Sequence, residues 1–345
     1  MTAMVVRAEL NGGRYISGDR HFQTRFNLGM MSFNEGYVRE TRRAYDNEEG
    51  PPAYEAYLSN YTLEELGLDE NYMTFGLGIE QQWKYLTFQF SGKYSNPQAD
   101  AVAHMHPTAS PVPPSRMGYY IGVDEVKYKG KTYDYMMIPE NQKFSADIQS
   151  YMLEMAFLFT PFSINTFQTH WTPWLRIGLL GIGGSYEIDA GPAKGVVQYE
   201  IPPKDYVVCG KGTGWGAVGT PEIGFGGEAK FFWFETVNGD AELSIQGDYS
   251  MMELDGSPGS VGLNLETTRN VDFDYSRWQL ALVGEIPISK TSALVLGLTY
   301  QNISAEVKLD SVHRSEAEQK TYSEKYDKEG KLGVSEWMLT IGLKF

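Results

Sequence analysis

The chain contains no run of about 18 consecutive apolar residues, the length a membrane-crossing helix needs, so no transmembrane helix is expected. The nearest approach, MAFLFTPFSINTFQTHWTPWL, is broken by Pro161, Pro173 and several polar residues. A single cysteine, Cys209, excludes an intrachain disulfide and is expected as an ordinary loop residue. Basic residues are outnumbered, 29 Lys and Arg against 44 Asp and Glu, and the formal net charge of -15 leaves no basic stripe to bind phosphates. Nucleic acid is therefore excluded as a partner. The start, MTAMVVRAEL, is too short for a signal peptide, so the chain is expected either to be cytosolic or to begin near a processed end.

Sites that would carry chemistry are equally scarce. AHMH places His104 and His106 two apart, with Asp100 upstream, but two or three candidate ligands in a proline-rich loop are expected to be solvated side chains, not a metal centre. GGSYE and GKGTGWG lack phosphate-loop spacing, and no Ser/His/Asp triad can be assembled. No metal, no cofactor and no catalytic residue is expected.

What is present is aromatic residues, at 14%, together with 37 glycines in 345 residues, and many short strands use both types. Period two can be counted directly. From Met73 to Trp83, Met73, Phe75, Leu77, Ile79 and Trp83 share one face and Thr74, Gly76, Gly78 and Glu80 the other. The stretches HFQTRFNLGM, LTFQFSGKY, SYMLEMAFLF, WLRIGLLGIGG, EIGFGGEAKFFW, AELSIQGDYSM, SRWQLALVGEI, ALVLGLTYQ and EWMLTIGLKF follow the same rule. With 73–83 that makes ten strands. The links between them alternate, long through 34–72, 97–143, 188–220, 254–270 and 310–333, short at Lys84-Tyr85, TVNGD and PISKT. Alternation of this kind puts all long links on one rim, as in transmembrane barrels with short periplasmic turns and long extracellular loops.

The two faces then acquire roles. Aromatic residues close the apolar face at strand ends: Trp83, Tyr94, Tyr151, Phe159, Trp233, Tyr249, Trp278, Tyr300 and Trp337, where a membrane interface accommodates a ring with a polar edge. The opposite face carries Arg25, Glu80, Lys93, Glu154, Arg176, Glu228, Lys230, Glu242, Asp248, Arg277, Glu285 and Lys344, charges of both signs that can pair inside a narrow lumen. The expected fold is all-β: one antiparallel up-and-down transmembrane barrel of about ten strands, a single domain over 1–345, with an N-terminal segment 1–19 and the barrel and its extracellular loops over 20–345.

The last stretch, SEWMLTIGLKF, alternates Trp337, Leu339, Ile341 and Leu343, carries Gly342 and ends on Phe345. It resembles the C-terminal recognition strand of bacterial outer-membrane β-barrel proteins, read by the barrel assembly machinery. The resemblance implies the outer membrane of a Gram-negative cell envelope, outer-membrane lipid around the wall, and that machinery as a partner in biogenesis. Ten strands with long outer loops also resemble the omptin family of outer-membrane proteases, whose two close aspartates and Asp/His pair have no match here. Asp100 stands alone, and Glu253 and Asp255 lack a histidine. The expectation is therefore no enzyme, but a small cation-preferring, porin-like channel. The alternative is a closed barrel whose loops bind an extracellular ligand, and an omptin-like hydrolase ranks behind both.

Overall fold

The computed structural model describes residues 7–9, 21–45, 54–62, 71–83, 85–103, 118–165, 169–199, 204–256, 268–317 and 320–345. Ten long strands form its wall: β1 (His21–Tyr45), β2 (Asn71–Gln82), β3 (Leu86–Ser95), β4 (Lys143–Phe159), β5 (Thr169–Asp189), β6 (Lys211–Thr236), β7 (Gly239–Gly256), β8 (Thr268–Pro287), β9 (Ala293–Ala317) and β10 (Lys320–Lys344). Each pairs antiparallel with the next. β10 pairs with β1 from Ser323↔Tyr45 to Lys344↔Gln23, so the sheet closes into a ten-strand barrel. Closure leaves no unpaired edge in the wall, which is the condition a sheet must meet to cross hydrocarbon.

Burial is inverted relative to a water-soluble barrel. Leu77 and Ile177 on the outside are 67% and 66% exposed, whereas Glu80 and Arg176 on the inside are 5% and 4% exposed. An apolar outer band and a polar interior are what a bilayer demands of a closed sheet. The protein is a transmembrane β-barrel of the outer-membrane type. Above the band, aromatic rings meet across neighbouring strands: Tyr94 with Tyr151 at 5.3 Å, Trp278 with Tyr300 at 5.0 Å, and Tyr300 with Trp337 at 4.7 Å between centroids. Hydroxyl and amide groups then take over. Ser32 donates to Asn71 at 2.6 Å, and Asn302 donates to Ser335 at 3.2 Å.

Beyond this level the structure departs from the sequence reading in two ways. β1, β9 and β10 do not stop at the band but run 25 residues each, so 310–317 and 320–333, read as loop, are paired strands. Outside the membrane both faces of a strand meet water, and the alternation that betrays a half-buried strand disappears. The long link between β3 and β4 is not plain coil either. Gly118–Tyr128 and Lys131–Pro139 form a hairpin through Lys129 and Gly130, both at positive φ (49° and 77°), the geometry of a two-residue type I′ turn.

This hairpin attaches to the top of β6 at Gly212↔Val126 on one side. On its other side it pairs parallel with Lys204–Val208 at Val207↔Met136, a departure from a pure meander. Gly195–Tyr199 completes the small sheet. Its inner residues Val123, Val126, Met136, Ile138, Val207 and Cys209 pack on Phe144 of β4 and Ile188 of β5, so the sheet is a lid with an apolar core of its own. Cys209 is fully buried there at φ 61°, in a tight turn with Gly210.

The band makes a depth-dependent prediction. Leu298→Arg, in mid-wall on β9, is expected to lower folding free energy in lipid vesicles by about 2–4 kcal/mol, and Asn302→Arg, two outward positions higher, by about 0–1 kcal/mol. Urea titration of refolding in vesicles measures both, and equal costs would refute this placement of the band.

Candidate functional site: the charged lumen

Inward side chains alternate along every wall strand with outward ones, so each strand delivers a polar residue to the same interior level. The centre of the layer is Glu154 on β4. Its two oxygens accept from both terminal nitrogens of Arg277 on β8 at 2.8 Å each, a bidentate pair, and the carboxylate also contacts Arg176 on β5. Arg176 Nε donates to Glu222 on β6 at 2.8 Å. Asp248 on β7 sits 3.6 Å from Arg277 and accepts the indole N–H of Trp174 at 3.1 Å.

On the opposite wall, Arg25 on β1 donates to Glu80 on β2 at 2.7 Å, and Gln89 on β3 donates to the same carboxylate at 3.0 Å. Glu336 on β10 accepts from Lys93 on β3 at 3.0 Å and from Gln301 on β9 at 2.5 Å. All ten wall strands thus contribute to one layer. Charges taken out of water are tolerated when each is met by opposite charge and hydrogen bonds, and the bidentate Arg277–Glu154 pair and the Arg176–Glu222 and Arg25–Glu80 bonds supply both.

Glycines make room for this layer. A Cβ on Gly178 would stand 2.8 Å from Glu222 Oε1 and 2.9 Å from the Met155 carbonyl, and one on Gly226 would stand 2.6 Å from Trp174 Nε1. The space left over among Arg25, Glu80, Lys93, Glu154, Arg176 and Arg277 is a cavity of about 120 Å³. Nearer the short-turn end, Lys230 pairs with Glu242 at 2.7 Å and Lys344 with Glu285 at 2.5 Å, while Glu228 accepts from Gln246 at 2.9 Å. Above the charged layer the interior turns apolar. Leu180, Met252, Phe273, Tyr275, Ile303 and Val334 pack together, joined by Met31, Phe33 and Met152. Phe33 and Tyr72 meet edge to face at 5.6 Å.

The twelve charged residues named from the sequence all lie on wall strands. Arg25, Glu80, Lys93, Glu154, Arg176, Asp248 and Arg277 come together in the central layer, and Lys230, Glu242, Glu285 and Lys344 form the lower group. The lumen residues named from the sequence omit Glu222, Glu336, Trp174 and Gln301, while Thr74 shares its face with Glu80, as the alternation over 73–83 has it. Glu222 and Glu336 occupy alternate positions of EIGFGGEAKFFW and SEWMLTIGLKF, so strict parity would have found them, whereas inward Trp174 breaks the polar rule and carried no signal.

On the outer face Trp83, Tyr151, Phe159, Trp278 and Trp337 are exposed, and Tyr94, Tyr249 and Tyr300 are half-buried. The side chain of Trp233 lies outside the described set, as do His104, His106 and the side chain of Asp255. Asp100 and Glu253 are exposed on the outer surface, and no group of three or more His, Cys, Asp or Glu able to hold a metal exists among the described residues. The terminal strand is tied in by its last residue: Phe345 N–H donates to the Phe22 carbonyl at 2.8 Å and Phe22 N–H to the Phe345 carbonyl at 3.1 Å.

No protein-family model matches the chain, and no curated protein matches it. Among solved structures it is similar to the outer membrane protease OmpT from Escherichia coli, with 9% identity, coverage of 95% of this chain and 97% of that one, and a TM-score of 0.35. It is also similar to a FadL homologue of Pseudomonas aeruginosa, with 10% identity, 99% of both chains covered and a TM-score of 0.23. For the toluene transporter TodX of P. putida the identity is 8%, the coverage 91% and 89%, and the TM-score 0.16. At these identities the likeness concerns fold alone. The expectation of no enzymatic activity is nevertheless corrected: it does not stand beside a protease barrel in that set, and it is withdrawn.

The upper ends of β5 and β6, beside the lid, add a titratable group outside the membrane. The Lys211 ammonium at 2.7 Å, and next the Gly191 N–H at 2.9 Å, hold the Asp189 carboxyl below the usual carboxylate range. A depressed folded-state pKa contributes stability that is present above the unfolded value and lost as pH falls through the folded one. Hydrogen exchange at Gly191, corrected for its intrinsic pH dependence, is expected to accelerate below about pH 4, and Asp189→Asn to abolish the dependence.

The layer itself yields a second expectation. Arg277→Ala leaves Glu154 and Asp248 short of a counter-charge and is expected to cost about 3–5 kcal/mol. The double variant Arg277→Ala/Glu154→Ala should cost less than the sum of the single changes. Additive costs in vesicle unfolding would mean that the two side chains are not coupled.

Proposed function

We propose that the protein is a closed barrel anchoring an extracellular β-structure, and that its role is binding by that structure, not the passage of solute. The observation that carries this reading is the interior column: an ion-pair layer contributed by every wall strand, with an apolar layer above it. Water and ions crossing such a column would have to break charge pairs in a low-dielectric setting and then wet an apolar constriction, and apolar constrictions close pores by dewetting. The lid adds support, because it is an ordered sheet with a core and not a strand of coil over an open mouth. A rigid scaffold presenting outer segments is a common way to place binding residues.

The partners under this reading are outer-membrane lipid around the band, the barrel assembly machinery during insertion through the SEWMLTIGLKF strand, and a ligand met by the outer sheet. The second reading, a small cation-preferring channel, draws on the acidic excess of the central layer, where Arg25, Lys93, Arg176 and Arg277 face Glu80, Glu154, Glu222, Asp248 and Glu336. Single-channel recording of refolded protein in potassium chloride decides between them, with folding verified by heat-modifiable gel mobility. The expected outcome is a silent bilayer. Steady cation-selective steps from the folded wild type would overturn the closed-barrel reading in favour of the channel.

A further inference from the structure

Several side-chain bonds in this lumen skip strands, as Glu154 to Arg277 and Trp174 to Asp248 do, and one such cluster spans the seam where the last strand meets the first. Glu336, on the closing strand β10, is 3% exposed. Its carboxylate reaches past β1 to accept from Thr74 on β2 and, at 3.0 Å, from Lys93 on β3; Gln301 on β9 approaches from the other side at 2.5 Å. The first strand passes directly beneath this bond at Gly29, which pairs with Met338 on one side and Thr74 on the other. A Cβ at Gly29 would run into the Thr74 hydroxyl, stand 2.8 Å from Glu336 Oε1 and 3.0 Å from Met338 Cγ. Only a residue without a side chain leaves the passage open.

We propose that Glu336 is a clasp over the seam where the last strand meets the first, and that Gly29 is the saddle which lets it close. Backbone pairing and direct side-chain bonds such as Thr340 to Asn27 and Tyr37 to Glu329, both at 2.8 Å, tie β10 to β1, but a seam held only by contacts between these two strands can peel open by losing that one strand pair. The clasp ties β9, β10, β2 and β3 across that pair. Opening the seam then requires separating buried opposite charges as well as backbone bonds, and lateral access from the lipid to the lumen at β1–β10 is closed. Because its partners come from both ends of the chain, the clasp forms only when the first three strands and the last two are together. Closure is therefore the late step of assembly.

The test separates a seam function from a general contribution to stability. In a Cys209→Ser background, Glu336→Ala is expected to lower the temperature at which the barrel loses its compact gel mobility by roughly 10 °C, given the cost of breaking a buried charge pair. Gly29→Val should do the same with Glu336 intact. The directly opposed Leu28 and Leu339 are then replaced by cysteines, Leu28→Cys and Leu339→Cys, to staple β1 to β10. Leu282→Cys and Leu298→Cys provide a control staple within β8–β9. If oxidation of the seam staple restores the lost temperature in both variants and the control staple does not, the clasp is supported. If both staples restore it alike, or neither does, Glu336 acts on the barrel as a whole and the proposal fails.

Discussion

A charge inside a ten-strand barrel has nowhere to go. At the level of the charged layer the space left among the side chains is about 120 Å³, so each ionised group carried inward by the pleat must find its opposite within reach or bear much of the cost of desolvation. That single constraint organises the structure. It fixes the register of every strand, because a slip of one residue would send Arg277 to the lipid and Trp278 to the lumen. It also explains the glycines at Gly29, Gly178 and Gly226, whose absent side chains are occupied by the carboxylates, hydroxyl and indole of the network. The apolar band outside and the paired layer inside are two sides of one alternation.

Much of this was legible in the residues. Ten strands with one greasy face, long and short links taking turns, and charges of both signs on the second face lead to a closed barrel with a paired interior. Phe345 bonded to Phe22 gives the terminal aromatic a place at the closing seam. What could not be read was partnership. Glu80 and Arg25 stand 55 residues apart and Lys93 and Glu336 stand 243 apart, and nothing local tells one inward charge from another. Their pairing follows from the order and stagger of strands around the wall, which only closure defines.

The extracellular part was misread for a different physical reason. Pattern reading depends on contrast between two environments, and a strand that leaves the bilayer loses that contrast. The tops of β9 and β10 over 310–317 and 320–331 are mostly polar, with apolar or aromatic residues too sparse to alternate regularly, and the lid hides its apolar positions in short segments separated by turn residues such as Lys129 and Gly130. There the decisive signals are turn chemistry and tertiary packing, as at Val126, Met136 and Val207, whose common core unites three separate stretches of chain. The lid and the lumen are stacked compartments, one apolar and one ionic, sharing the upper walls of β4 and β5.

The long β9–β10 hairpin has an implication for how such a protein can vary. Its two strands pair without a register break from the wall to their tips. Because the pleat repeats every second residue, adding or removing residues two at a time on each arm leaves every inward and outward position below unchanged. An odd change on one arm would invert the arm or force a bulge. Natural length variation in this projection is thus free in even steps and penalised in odd ones, so that the outer reach of the molecule can drift while the membrane-spanning wall stays constant.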